Sequence, residues 1–314
     1  MPYFLTCREE ERVKEELNLF KSGFIGILGR PNVGKSTLLN KIIGEKIAIA
    51  THKPQTTRNR ITGIKTTEKG QLVFLDTPGI HHAKSPLHRQ MVATAVSTIA
   101  DVDVVLFLTE ANSDLNDDDH FIIRSLKDKK IPVILVINKI DLIEKAALLV
   151  LIDNLRHILP FSEIVPLSAL RGFNVDTLLD VTWNIIPEGP KYFPDDMVTE
   201  SSERFLAAEI IREKITLMTS QEIPYSSAVV VDSFKEDKRK NLIRIQATIN
   251  VEKQSQKGII IGAKGSMLKR IGTQARLEME RFFATRIYLE LFVRVTKDWT
   301  RDSRMLEEFG YKKG

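Results

Sequence analysis

Between residues 24 and 169 the chain repeats one alternation. A short, nearly unbroken apolar run is followed by a longer stretch whose apolar residues fall at helical spacing. The runs are FIGILG (24–29), QLVFLDT (71–77), VDVVLFLT (102–109), IPVILVIN (131–138) and IVPLSA (164–169). The helical stretches include 87–100, 117–130 and 145–158. A strand that is apolar at nearly every position is buried on both faces. Such strands alternating with helices predict an α/β fold, a mostly parallel sheet with helices on both faces.

The alternation breaks at IIPEGPKYFPDDMVTESSE (185–203), where Pro187, Pro190 and Pro194 block regular structure. A different order follows. Helix ERFLAAEIIREKITLM (203–218) leads to strands SSAVVVDSF (226–234) and NLIRIQATINVE (241–252), then a short helix, a GAKG loop, a longer helix (266–284) and strand IYLELFVRV (287–295). This α-β-β-α-α-β order predicts a separate α+β domain. The expected organisation is an extension (1–20), an α/β domain (21–186), a linker (187–202), an α+β domain (203–299) and a tail (300–314).

Composition changes this picture little. At 314 residues, 43% hydrophobic and 28% charged, the chain has room and apolar content for two globular domains. Residues 1–20 lack the basic start and apolar middle of a signal peptide and read as a charged helical or frayed extension. The longest apolar runs are too short to span a bilayer. The one cysteine, Cys7, excludes an internal disulfide framework and a cysteine-based zinc site, a usage that fits a reducing cytoplasm. Charge adds more. From Glu200 onward there are 22 Lys and Arg against 16 Asp and Glu, so the net +5 of the whole chain arises in its C-terminal third. That excess is either a solvated surface or a nucleic-acid face.

The chemistry concentrates at strand ends. GRPNVGKST (29–37) follows an apolar strand and opens a helix, the setting a phosphate-binding loop needs. In it Gly29 and Gly34 would let backbone N–H groups curl around phosphates, in a loop that Arg30, Pro31, Asn32 and Val33 complete ahead of Thr37. Lys35 would reach the β- and γ-phosphates, and Ser36 would bind magnesium. DTPG (Asp76, Thr77, Pro78, Gly79) ends the next strand. There Asp76 can hold the magnesium through water, and Gly79 can offer its N–H to the γ-phosphate. NKID follows another strand, and its Asn138, Lys139 and Asp141 can read and flank a guanine. Ser168 and Ala169 end the last strand, with the Ala169 N–H set to meet guanine O6. The segment 54–64, PQTTRNRITGI, sits where a mobile switch belongs, and Thr57 is preferred over Thr56 as its magnesium-binding hydroxyl. Four such elements in order predict a GTP site, with Lys35, Thr57 and Gly79 nearest the chemistry. The pair His81–His82 reads as a solvated loop, and helix 203–218 as core-facing.

These motifs, with SERFLAAEIIREKI and IIGAKGSMLKRIG further on, resemble the Era family of GTPases, in which a G domain precedes a KH domain. The resemblance runs from Lys21 to about Trp299. It implies GTP hydrolysis to GDP and phosphate with magnesium, and binding to the single-stranded 3′ end of 16S rRNA in assembly of the 30S ribosomal subunit. It also implies a cytoplasmic monomer with peripheral contact to the inner membrane. At Asn32 it implies potassium beside the phosphates, as in related GTPases with asparagine there. Ile80 stands where Ras-like enzymes carry a water-orienting glutamine, a replacement the family shares.

The second domain then reads as a type II KH domain. Its G-x-x-G loop (Gly262, Ala263, Lys264, Gly265) would clamp an RNA backbone, with Lys269 and Arg270 adding charge one turn on. Ile260, Ile261 and Ile271 would form the wall of the groove or the core beneath it. A second reading stays open, a membrane-associated signalling GTPase whose KH-like domain binds a protein.

Overall fold

The computed structural model describes residues 20–53, 56–80, 86–220 and 222–311. The extension (1–19), Pro54–Gln55 of the switch segment and the pair His81–His82 lie outside the described residues.

The apolar runs form the parallel strands of a six-stranded sheet in the order β2-β3-β1-β4-β5-β6. The strands are β1 (Lys21–Leu28), β2 (Ile61–Thr67), β3 (Gly70–Asp76), β4 (Val104–Glu110), β5 (Val133–Asn138) and β6 (Glu163–Pro166). Every residue of β3 and β5 is buried, as the unbroken apolar runs require. Helices α1 (Lys35–Ile43), α2 (Pro86–Thr98), α3 (Asp117–Lys127), α4 (Lys145–Leu155) and α5 (Val175–Ile185) complete the domain. The two larger apolar cores contain Ile25, Leu38, Phe74 and Trp183, and Leu28, Ile80, Phe107 and Ile122; a smaller one holds Ile64, Val73 and Leu75. All parallel strands end at one edge, and the phosphate loop, DTPG, NKID and the Ser168–Ala169 turn gather there.

β2 corrects the expectation of a loop through 54–64. Residues 61–67 pair antiparallel with β3 through the tight turn at 68–69, and only the part before Ile61 is free of strand pairing. The proline-rich linker has neither helix nor strand, yet it is held along the first domain. Tyr192 and Phe193 N–H groups donate to Gln71 Oε1 (3.0 and 2.9 Å), and Ile64 N–H donates to the Val198 carbonyl at 2.9 Å.

The second sheet has the order β7-β8-β9: β7 (Ser227–Asp237), β8 (Leu242–Val251) and β9 (Arg286–Val295). β7 and β8 are antiparallel, β8 and β9 parallel. Helices α6 (Glu203–Met218), the single turn α7 (Ile223–Ser226), α8 (Gln254–Ile261) and α9 (Ser266–Phe282) accompany it. Ala207, Ile211 and Ile215 of α6 join Ile260, Ile271, Ala275 and Met279 on one face of the sheet, over Ile245, Ala247 and Ile249.

The segment from 300, expected to be a tail, folds as a short helix, α10 (Ser303–Glu308). Trp299, Leu306 and Tyr311 are buried against Leu87 and Met91 of α2, so this stretch packs on the first domain. A second bridge is ionic. Lys46 reaches Glu213 (2.7 Å) and Glu278 (2.5 Å), and Lys214 pairs with the same two carboxylates. No helix among the described residues is long and apolar enough to cross a membrane.

Candidate nucleotide and nucleic-acid sites

The loop between β1 and α1 wraps a cavity of about 600 Å³ lined by Lys35, Ser36, Thr57, Gly79, Asn138, Lys139, Asp141 and Ser168, among others. Gly34 caps α1 with φ 102°, a left-handed conformation that glycine adopts without a Cβ penalty. Asn32 and Lys139 hold positive φ without being glycine (67° and 63°), so both nucleotide loops carry backbone strain at the site.

Ser36, Thr57 and Asp76 meet as the sequence predicts. Ser36 Oγ lies 2.8 Å from Thr57 Oγ1 and donates to Asp76 Oδ2 at 2.6 Å. Thr56 also lines the cavity, but its hydroxyl is engaged elsewhere, donating to the Lys53 carbonyl at 2.7 Å. Asp76 is fully buried and its Oδ1 has no hydrogen-bond partner. Burial pushes its pKa up to about 6, against the opposing pull of Lys35 and of the Ser36 and Thr57 hydroxyls. Three hard oxygen donors, one a buried carboxylate oxygen left unpaired, fit a magnesium ion.

Lys35 is buried too. Its Nζ donates to the carbonyls of Gly29 (2.9 Å) and Arg30 (3.0 Å), and burial lowers its pKa to about 8 although Asp76 and Asp119 oppose the shift. A phosphate would restore the charge that burial disfavours.

Gly79 fits close against the phosphate loop. A Cβ there would lie 2.9 Å from Pro31 Cα and 2.9 Å from Pro31 N, so no other side chain fits without moving that loop. Thr77 Oγ1 pins the same turn to the Ile27 carbonyl at 2.8 Å, and Pro78 is buried beside it. Ile80 N–H donates to the Gly29 carbonyl at 3.3 Å, and its side chain is buried in the core with Leu28 and Ala95. It therefore points away from the cavity.

The base-side loops depart from expectation. The Asn138 amide braces them: Nδ2 donates to the Val33 carbonyl at 2.7 Å, and Oδ1 accepts from Ala169 N–H at 2.9 Å. The Ala169 N–H assigned to guanine O6 is therefore engaged by Asn138, because the two loops close on each other. Asp141 is exposed at the cavity edge, and Ser168 Oγ is buried, accepting from Arg171 N–H at 3.2 Å. Lys139 pairs with Glu110, which also takes Arg30 at 2.7 Å. Arg30 Nε in turn lies 3.4 Å from buried Asp119, the residue that completes the N-terminal capping box of α3. Glu110 and Asp119 were missed in the sequence. The position of Glu110 at the carboxyl end of β4 was the available signal.

Asn32 Nδ2 donates to the His52 carbonyl at 3.0 Å, leaving Oδ1 as its donor toward a cation. Arg58, next to Thr57, was also missed. It is 4% exposed, and its guanidinium donates to the carbonyls of Ser227 (2.8 Å), Pro224 (2.8 Å) and Tyr225 (3.0 Å) and to the Tyr311 hydroxyl (2.9 Å), beside the Trp299 ring. Arg212 of α6, likewise buried, donates to the Thr56 carbonyl.

In the second domain Gly262 and Gly265 flank the turn between α8 and α9 with φ 71° and 79°. Lys264 at its tip has φ 50°, and Ala263, Lys264, Lys269 and Arg270 are all exposed. Ile260 and Ile271 are fully buried and belong to the core beneath the loop, whereas Ile259, unmarked in the sequence, is 49% exposed beside it.

A phosphate loop at the carboxyl edge of a mostly parallel sheet, followed by an α-β-β-α-α-β module with a G-x-x-G turn, defines a P-loop GTPase joined to a KH domain. Residues 24–139 match the family model described as 50S ribosome-binding GTPase, and residues 222–300 the model described as KH domain. The GTPase Era of Syntrophus aciditrophicus is 65% identical over 293 residues, covering 93% of this chain and 96% of that one. The GTPase Era of Geobacter metallireducens is 57% identical over 294 residues, covering 94% and 99%. Among solved structures, Aquifex aeolicus Era bound to GDP and AlF4− superposes with a TM-score of 0.90 at 42% identity, covering 93% of this chain and 99% of that one. An Era complex with MgGDPNP and nucleotides 1506–1542 of 16S ribosomal RNA has the same score, identity and coverage. This chain belongs to the Era family of GTPases.

Proposed function

We propose that this protein is a GTP-hydrolysing switch whose KH domain takes the single-stranded 3′ end of 16S rRNA and which acts in assembly of the 30S subunit. The observation that carries the reading is the meeting of Ser36, Thr57 and Asp76 beside Lys35, with Asp76 Oδ1 unpaired. The RNA is supported by the Era complex that holds 16S nucleotides and matches this chain over nearly its whole length.

Magnesium, when bound, would supply positive charge that offsets the negative charge developing on the phosphates. Ser36, Thr57 and Asp76 would hold it. Lys35 leaves the Gly29 and Arg30 carbonyls for the phosphates, and the Gly79 N–H meets the γ-phosphate. Water attacks the γ-phosphorus, the bond to the β-bridging oxygen breaks, and GDP and phosphate leave. With Ile80 buried, positioning that water falls to backbone groups, a cation or a partner; Asn32 would hold a monovalent cation that supplies further charge beside the phosphates.

Thr57 would give its hydroxyl to the magnesium when the γ-phosphate is present, and Arg58 is fixed in the KH domain. The nucleotide state therefore reaches the RNA site through this dipeptide, by population shift between two domain arrangements. Crosslinking to small ribosomal subunits in the presence of a non-hydrolysable GTP analogue, followed by mapping of the RNA contacts, tests the reading. Contacts at the 3′ end are expected; contacts confined to the large subunit overturn it.

A further inference from the structure

Two carboxylates line the nucleotide cavity, Asp141 and Glu110. Asp141 has the guanine edge to meet. Glu110, the last residue of β4, has no evident partner in the ligand, and an anion in the wall of a polyphosphate site repels what the site must hold. No step of the reaction above uses it. Its own two oxygens show what it does instead. Oε1 accepts from the Arg30 guanidinium of the phosphate loop at 2.7 Å and from Ser113 Oγ at 3.2 Å. Oε2 accepts from the Lys139 ammonium of the base-side loop. The Glu110 side chain is 16% exposed and that of Arg30 14%, so little water screens the cluster. Strand pairing sets the reach. Glu110 is the register partner of Asn138, and the next N–H, that of Ala111, donates to the Asn138 carbonyl at 2.8 Å. Lys139 follows Asn138 directly.

The two cations differ in what else holds them. Arg30 has a second carboxylate, Asp119, which lies 3.4 Å from its Nε and is itself fixed in the capping box of α3. Lys139 pairs with no other carboxylate among the described residues. Its backbone is also left-handed, at φ 63°, a conformation that a non-glycine residue keeps only with support from its surroundings. Loss of the Glu110 charge would therefore leave the phosphate loop anchored and the Lys139 side chain adrift. With the ammonium held on Glu110, both ends of that side chain are fixed beside the cavity. The four-carbon stem between them is the part that can cover a purine face.

We propose that Glu110 is a positioning residue for the base: it pins the Lys139 ammonium so that the Lys139 stem forms a fixed apolar flank for the guanine. This rests on the reading of NKID as the guanine loop. Removing the carboxylate has two consequences of opposite sign. Glu110→Gln deletes a negative charge from the cavity wall, which by Coulomb attraction alone tightens every phosphate-bearing ligand. It also releases Lys139, which weakens only ligands that carry the base. The sign of the change in GDP affinity therefore separates positioning from a general field effect.

The test uses the full chain, with GDP and inorganic pyrophosphate as ligands in the presence of magnesium, and the melting temperature of the nucleotide-free protein as a control of folding. Glu110→Gln should bind GDP more weakly by about fivefold or more, and pyrophosphate no more weakly than the parent does. In GTP hydrolysis KM should rise in step while kcat stays within about twofold, because the base is flanked alike in the ground and transition states. Lys139→Met keeps most of the stem and removes the ammonium. In that background Glu110→Gln should cost less than about twofold in GDP affinity, since nothing is left to pin. Should Glu110→Gln not fold, Glu110→Asp, which keeps the charge and shortens the reach by a methylene, carries the same comparison of GDP with pyrophosphate. Unchanged or tighter GDP binding overturns the inference. So does an equal loss on GDP and pyrophosphate, or an equal loss of GDP affinity in both backgrounds. Binding of GDP by the parent no tighter than that of ADP overturns the guanine reading itself.

Discussion

Thr57 and Arg58 are consecutive in the chain and face different domains. The Thr57 hydroxyl lies 2.8 Å from Ser36 Oγ in the nucleotide site, while the Arg58 guanidinium is sunk among KH-domain carbonyls and the Tyr311 hydroxyl. Replacing Arg58 with alanine removes four hydrogen bonds to a buried cation and should lower stability by about 2–4 kcal/mol. Arg58→Lys keeps the charge but not the fork. It should leave GTP hydrolysis within about threefold of the parent and bring the ratio of RNA affinities, GTP analogue over GDP, close to one. Titration of RNA in both nucleotide states measures it; an unchanged ratio would sink the coupling role.

Asp76 sets a pH dependence. Its folded pKa, about 6, lies above the ordinary carboxylate value, so the folded state holds the proton more tightly. Between about pH 4 and 6 the free protein should therefore lose stability as pH rises, the opposite of a salt-bridged acid. Asp76→Asn removes that penalty and should stabilise the nucleotide-free protein at pH 7 by on the order of 1–3 kcal/mol, while abolishing magnesium-dependent hydrolysis. Melting curves across pH, with and without magnesium, check both halves.

Gly79→Ala places a Cβ against the backbone of Pro31. The phosphate loop or the DTPG turn must then shift. Hydrolysis should fall at least tenfold, since a displaced donor no longer meets the γ-phosphate, and GDP affinity should change far less. Single-turnover rates alongside GDP titration separate the two.

Asn138→Ala should weaken GTP and GDP alike, because both partners of its amide, the Val33 carbonyl and the Ala169 N–H, are left buried and unpaired. About 1–3 kcal/mol for each is the expected scale. A loss limited to GTP would show that the brace is not its main role.

For Asn32, hydrolysis by the parent should be faster in potassium than in matched sodium buffer, and Asn32→Ala should remove the difference. Equal rates for the parent would eliminate the cation.

The parallel strands and the phosphate loop were legible because each is written in one continuous stretch. Unbroken apolar runs such as 133–138 have no other comfortable place than a sheet covered on both faces. β2 was missed because ITGIKTT is polar at its outer half and lies at the sheet edge, where burial no longer marks the strand. Short α10 shows no helical period; its packing rests on Trp299, Leu306 and Tyr311, spaced irregularly. Arg58 and Asp119 could not be singled out, because what distinguishes each is a partner from a distant segment. The Asn138–Ala169 bond has the same origin, since two loops had to be brought together before one could occupy the other's N–H.

The linker bears on how far the KH domain can travel. Pro187, Pro190, Tyr192, Phe193 and Val198 are all hydrogen-bonded to β1, β2 or β3, and Thr199 Oγ1 donates to the Thr62 carbonyl at 2.6 Å. Ser202 is already the N-cap of α6. Between the last anchor on one domain and the first helix of the other stand only two or so residues. The connection is a pivot rather than a rope. With α6 as a rigid arm of about 24 Å, a small rotation at that pivot becomes a wide sweep at its far end. GTP would thus set an angle and not a distance, and whatever RNA the KH domain holds would be swung along an arc.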